Sequence, residues 1–123
     1  MPDSGKTRRA EIDTATVRAL LLMHGGGAVA LLTFLGSLVS EEALRPLGPW
    51  LLVGILGFHL GLVVTVVHNH LRRRCSFAWE IGSKTKDDGV CWWSWFCLYV
   101  SVVLFFVAGL IALVGSLVVF VRI

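Results

Sequence analysis

Three stretches of this chain carry no charged side chain: Ala19–Val39, Trp50–Leu71 and Cys91–Val121. A bilayer core of roughly 30 Å takes about 20 apolar helical residues, so each stretch is long enough to cross it. Only helices and closed barrels satisfy their backbone groups in lipid, and the glycines here are too sparse for barrel strands. The third stretch exceeds the need of one span. Its start, Trp92-Trp93-Ser94-Trp95, reads as an interfacial belt, and no proline or polar break divides the rest into a hairpin. The expected fold is all-α: a polytopic membrane protein with three transmembrane helices at about 17–39, 50–71 and 92–121. All 123 residues then form a single membrane domain. Composition agrees. Charged residues are 15% and apolar residues 56% of the chain, whereas soluble domains carry about 25% charge. That balance, with only three cysteines, excludes a disordered chain and a disulfide-rich secreted scaffold.

Basic residues set the expected orientation. Lys6, Arg8, Arg9, Arg18, Arg72, Arg73, Arg74, Lys84 and Lys86 fall on one side of a three-span layout, and only Arg45 and Arg122 on the other. Nine against two places the N-terminus in the cytoplasm and the C-terminus outside. The net charge of +3 is then a topology signal, with no motif to support nucleic-acid binding. The first span is too long for a cleaved signal core and should remain as a signal anchor. In the outer loop, Ser40 is expected to cap a short turn, and Gly48-Pro49 to open the second span. The loop Ser83–Gly89 reads as a polar turn.

Helical phase, at about 100° per residue, groups the small residues of each span. Ala19, Gly26, Ala30, Thr33 and Ser37 share a stripe of roughly 60° in the first, and Gly54, Gly57, Gly61, Thr65 and His68 do so in the second. Ser94, Cys97, Ser101, Ala108, Ala112 and Gly115 form the third. Small residues let helix backbones approach, which supplies the contact that lipid does not drive. Helix packing is therefore expected at Gly26, Ala30, Gly54, Gly57, Gly61, Ala108, Ala112 and Gly115. The Gly25-Gly26-Gly27 run lies inside an apolar span and cannot be a phosphate loop; close packing of another helix is its expected use. The bulky face of the third span, with Tyr99, Phe106, Leu110, Leu113 and Leu117, suits lipid or a partner subunit.

Ionisable side chains inside a membrane are functional candidates, and here they are histidines. His24 and His59 lie at depths that differ by only about 6 Å, which invites a bis-histidine haem or a quinone contact. Phase argues against one iron shared within the chain: both histidines point away from the small stripes, hence outward if those stripes form the core. The alternative is a pair of neutral histidines hydrogen-bonded to backbone or a partner. His68, His70, Cys75, Cys91 and Cys97 gather near the basic edge, but without a metal-binding spacing. Those cysteines fall on the reducing side, so no structural disulfide is expected. Arg72, Arg73 and Arg74 make a juxtamembrane patch suited to anionic lipid headgroups. No catalytic arrangement is present: every Asp and Glu lies outside the apolar stretches, and no enzyme activity is expected.

The stretch Ala19-Leu-Leu-Leu-Met-His-Gly-Gly-Gly-Ala-Val-Ala-Leu-Leu-Thr-Phe-Leu-Gly36 resembles the first span of a group of small, uncharacterised bacterial inner-membrane proteins. Their pattern is a Gly-Gly-Ala core followed by Val-Ala-Leu-Leu-x-Phe-Leu-Gly. The position of His24 is often Asn in that group, which implies a need for a polar hydrogen-bonding group more than a metal ligand. The size and three-span layout also resemble the membrane anchor subunits of succinate dehydrogenase, which bind haem b and quinone; the Asp-Tyr quinone pair of that family is absent after His59. The sequence thus points to a non-catalytic accessory or assembly subunit of a larger inner-membrane complex or homo-oligomer. The alternative is a haem- or quinone-binding anchor of an electron-transfer complex.

Overall fold

The structure, a computed structural model, describes residues 4–38, 44–80 and 88–122. They form three helices: α1 (Ser4–Ser37), α2 (Leu44–Glu80) and α3 (Asp88–Arg122). Each contains a segment long and apolar enough to cross a membrane, Glu11–Ser37, Arg45–Ser76 and Gly89–Val121. The all-helical reading therefore holds, with three helices long and apolar enough to cross a membrane. The helices are longer than the spans expected from hydropathy. At about 1.5 Å per residue each reaches about 50 Å, well beyond a hydrocarbon core. The second helix starts at Leu44 rather than at Gly48-Pro49, so Pro46 takes the first-turn place and Pro49 lies inside the helix. Ser40 and most of the 83–89 loop lie outside the described residues; Asp88 and Gly89 already belong to α3.

Helix α2 is central and packs on both neighbours. Along the α2–α3 seam the partners run in opposite order: Trp50 meets Gly115, Gly54 meets Ala112, Gly57 meets Ala108, and His68 meets Ser94. The α1–α2 seam is likewise antiparallel, with Leu31 on Gly54, Phe58 on Gly27, His24 on Gly61, and Asp13 paired with Arg72. Helices α1 and α3 meet over a short stretch around His24 and Ser101. The apolar core is thin. One cluster joins Ala28, Phe58 and Ala108, and a second joins Leu47, Leu51 and Val119 nearer the C-terminal end of α3. Much of what holds the bundle is therefore close backbone approach at small residues, as expected where lipid removes the hydrophobic drive between helices.

Small-residue faces of α2 and α3 make this seam as the sequence implies. A Cβ at Gly57 would stand 2.8 Å from the Ala108 Cβ, closer than real carbon contacts come. Gly54, Gly61, Thr65 and His68 are buried beside it, as are Ser94, Ser101, Ala108, Ala112 and Gly115 on α3.

Helix α1 turns the other way. Its expected packing stripe, Ala19, Gly26, Ala30, Thr33 and Ser37, is exposed along its whole length, and its buried positions are Val17, Leu20, His24 and Ala28. Gly26 and Ala30 therefore make no intrachain seam, and a Cβ at Gly25 or Gly26 would meet nothing within 4 Å. Of the triple-glycine run only Gly27 packs, against the Phe58 ring. The physical reason is His24. An imidazole facing hydrocarbon costs more than an exposed glycine, and Ser101 on α3 offers it partners, so polarity sets the phase of α1.

Candidate functional site

A chain of polar groups runs through the point where the three helices meet. His24, Thr65 and Ser101 are each 0% exposed. Nε2 of His24 lies 3.1 Å from the Ser101 carbonyl oxygen and 3.0 Å from its hydroxyl. The Ser101 hydroxyl is 2.7 Å from Thr65 Oγ1 and 3.2 Å from the Gly61 carbonyl, to which Thr65 also donates at 2.8 Å. Phe58 and Phe105 wall the imidazole edge-on, with ring centroids 6.1 and 5.6 Å away.

The donors and acceptors select one tautomer. Nδ1 of His24 is buried without a hydrogen-bond partner. If Nδ1 carried the proton, a buried N–H would be orphaned, which folded chains almost never tolerate. With the proton on Nε2, that N–H donates to Ser101, and Nδ1 buries only a lone pair. Ser101 then donates toward Thr65 or the Gly61 carbonyl, so every hydroxyl hydrogen has an acceptor. Gly61 is what lets the ring in: a Cβ there would overlap the His24 imidazole. Only glycine lets the α2 backbone lie against that ring.

Toward the basic end the seam repeats this chemistry. His68 Nδ1–H donates to the Ser94 carbonyl at 2.7 Å, with the Ser94 hydroxyl 3.1 Å away, and both side chains are buried. Beyond this pair, Cys75 of α2 and Cys91 of α3 form a disulfide with Cα atoms 5.4 Å apart, inside the usual range. The expectation of no disulfide is corrected here. It rested on compartment alone, whereas the antiparallel seam carries both cysteines to the same depth. Cys97 is free and partly exposed. Arg72 pairs with Asp13 of α1, which leaves Arg73 and Arg74 as the exposed members of the basic patch.

The two candidate cofactor ligands part company. His24 faces inward, contrary to its expected outward phase, whereas His59 lies on the outer face of α2 as expected. The imidazoles do not converge within one chain. His59 Nδ1–H donates to the Ile55 carbonyl of its own helix at 2.9 Å, and His59 makes no other hydrogen bond among the described residues. That bond holds the ring in one tautomer and leaves the Nε2 lone pair directed away from the backbone. Around it lie exposed Leu56, Leu60 and Val63.

Sequence reading grouped Thr65, His68, Ser94 and Ser101 as small-stripe residues and missed that they bond to one another. The signal was present: a hydroxyl or imidazole recurs on the facing stripes of α2 and α3, where each comes within reach of partners across the seam. Comparison with family models, curated proteins and solved structures finds no match to this chain.

Proposed function

We propose that this chain is a non-catalytic subunit that assembles, through its outer surface, with further membrane-embedded polypeptide, either copies of itself or a larger inner-membrane complex. Its basic end faces the cytoplasm and its C-terminus the outside, as the nine-to-two charge asymmetry implies. The observation that carries the reading is His59. It sits about 21 Å from Arg45 along α2, near the middle of the span, yet on the outer wall of the bundle. Intramembrane ionisable side chains face a bundle interior or a partner, because hydrocarbon cannot satisfy them. The interior of this bundle is filled by its own hydrogen bonds, so the group that satisfies His59 Nε2 comes from outside the chain. The exposed small face of α1 around Gly26 and Ala30 is consistent with a second close helix contact.

The test is purification of the full chain in mild detergent, with the mass of the particle and its composition read together. A stable particle larger than one chain, lost or weakened in His59→Leu, is expected. A strictly monomeric protein with no co-purifying polypeptide contradicts the reading.

One observation favours the electron-transfer anchor as a second reading. A histidine whose Nδ1–H is fixed by a backbone carbonyl, with Nε2 open, has the geometry used for metal ligation. Haem bound between copies at His59 would give a Soret band in the purified protein, and its absence removes haem.

A further inference from the structure

We propose that Cys75 and Cys91 form a reversible dithiol/disulfide site, exchanged by low-molecular-weight thiols and disulfides at the basic end of the bundle. The inference rests on the cytoplasmic orientation given above. Cys75 follows Arg72-Arg73-Arg74 directly, so the bond lies on the side that carries nine of the eleven basic residues. By charge that side is the reducing one, where a protein disulfide is transient or sensing and seldom a permanent brace.

Three further features fit exchange. Both cysteines are partly exposed at the ends of their apolar segments, and Arg74, Ser76, Gly89 and Trp92 around them are exposed too, so the bond is not enclosed in the bundle interior. The bond is not the sole link between these helices, because the His68–Ser94 hydrogen bonds also join α2 to α3 at the same end of the bundle. Their Cα atoms lie 5.4 Å apart on two helices that are packed along their whole seam, so the thiols stay within reach of each other once reduced.

Reduction is a two-step exchange. A thiolate from a low-molecular-weight thiol attacks one sulfur and displaces the other as a thiolate, giving a mixed disulfide. A second thiol then attacks that mixed disulfide, and the products are two cysteine thiols and one low-molecular-weight disulfide. The reverse sequence consumes the low-molecular-weight disulfide and restores the bond. What changes in the protein is the tether on α3: when it opens, the N-terminal end of α3, just before Trp92 and Trp93, loses its disulfide tie to α2.

The test counts thiols on the full chain in intact cells with a membrane-permeant, mass-tagged maleimide. Three tags are expected in untreated cells, one after challenge with a low-molecular-weight disulfide, and three again after its removal. In Cys97→Ser the count should run two, none, two. In Cys75→Ser/Cys91→Ser it should stay at one, with the protein still inserted. One tag throughout, or three throughout, overturns the proposal. A membrane-impermeant maleimide added outside separates the two ideas. Labelling of reduced Cys75 and Cys91 from that side overturns the orientation and the proposal with it. Protection from that side together with an invariant count overturns the exchange alone.

Discussion

Two glycine-rich helix faces in this molecule have opposite fates. Gly54 and Gly61 of α2 are buried and Gly57 is half-buried against α1 and α3, where an added methyl group presses on Leu31, Ala108 or His24. Gly25 and Gly26 of α1 lie on an open face, where the same methyl group meets nothing. By spacing alone both faces are small-residue stripes of the kind that packs helices. What separates them is the polar residue each carries. The α2 stripe includes Thr65 and His68, which need partners and find them on α3. On α1 the demanding residue is His24, and it lies on the opposite face from Gly26, so burying the imidazole turns the glycines outward. Small residues permit close approach; a buried hydrogen bond decides which face takes it.

Substitutions break this contrast in graded order. The largest effect should come from Gly61→Val, which drives a branched side chain into the His24 ring and separates Nε2 from Ser101. Overpacking typically costs 1–3 kcal/mol, and lost interhelical hydrogen bonds of the membrane kind add roughly 0.6–1.7 kcal/mol. Unfolding of the purified protein in mixed micelles should show a loss of about 2–4 kcal/mol. A loss no greater than that of Gly26→Val would erase the distinction between the two faces.

His24→Leu comes next. It removes the bonds to Ser101 but leaves Ser101 paired with Thr65 and Gly61, so no buried hydroxyl is stranded, and about 1–2 kcal/mol is expected. In His24→Leu/Ser101→Ala the second change should add less than it does alone, because the pair acts as one unit. Strict additivity would mean that the two side chains do not meet. Gly57→Ala follows, at about 1 kcal/mol, since the Ala108 Cβ is fixed to its backbone and only a small shift of one helix against the other relieves the contact. At the small end, Gly26→Ala should leave stability unchanged or raise it by up to about 1 kcal/mol, because an exposed helical glycine gains only propensity. The same substitution assayed for assembly sharpens the contrast. Loss of a larger particle with no loss of monomer stability would mark the open face as a contact for another chain.

Much of the fold is legible in the sequence because its causes are local. Absence of charge over a bilayer's length defines each span, and the facing stripes of α2 and α3 emerge from spacing because packing and polarity agree there. At α1 they disagree. The stripe rule pointed to Gly26 and Ala30, while His24, read as outward, needed partners that only the tertiary arrangement reveals. The disulfide was hidden for a similar reason: Cys75 and Cys91 are 16 residues apart, and their common depth follows from the antiparallel seam rather than from any motif. Pro49 inside α2 shows the limit of reading helix starts from proline alone, since Pro46 already occupies the first turn.

The inward phase of His24 is the claim on which the rest depends, and cysteine cross-linking in native membranes tests it most directly. In a chain with Cys75, Cys91 and Cys97 replaced by serine but His24 and Ser101 kept, the pair Leu31→Cys and Gly54→Cys should join α1 to α2 on mild oxidation, whereas Thr33→Cys with Gly54→Cys should not. Cross-linking from position 33 and none from position 31 would contradict it, turning the glycine face inward and leaving the three-helix hydrogen-bonded junction without its first member.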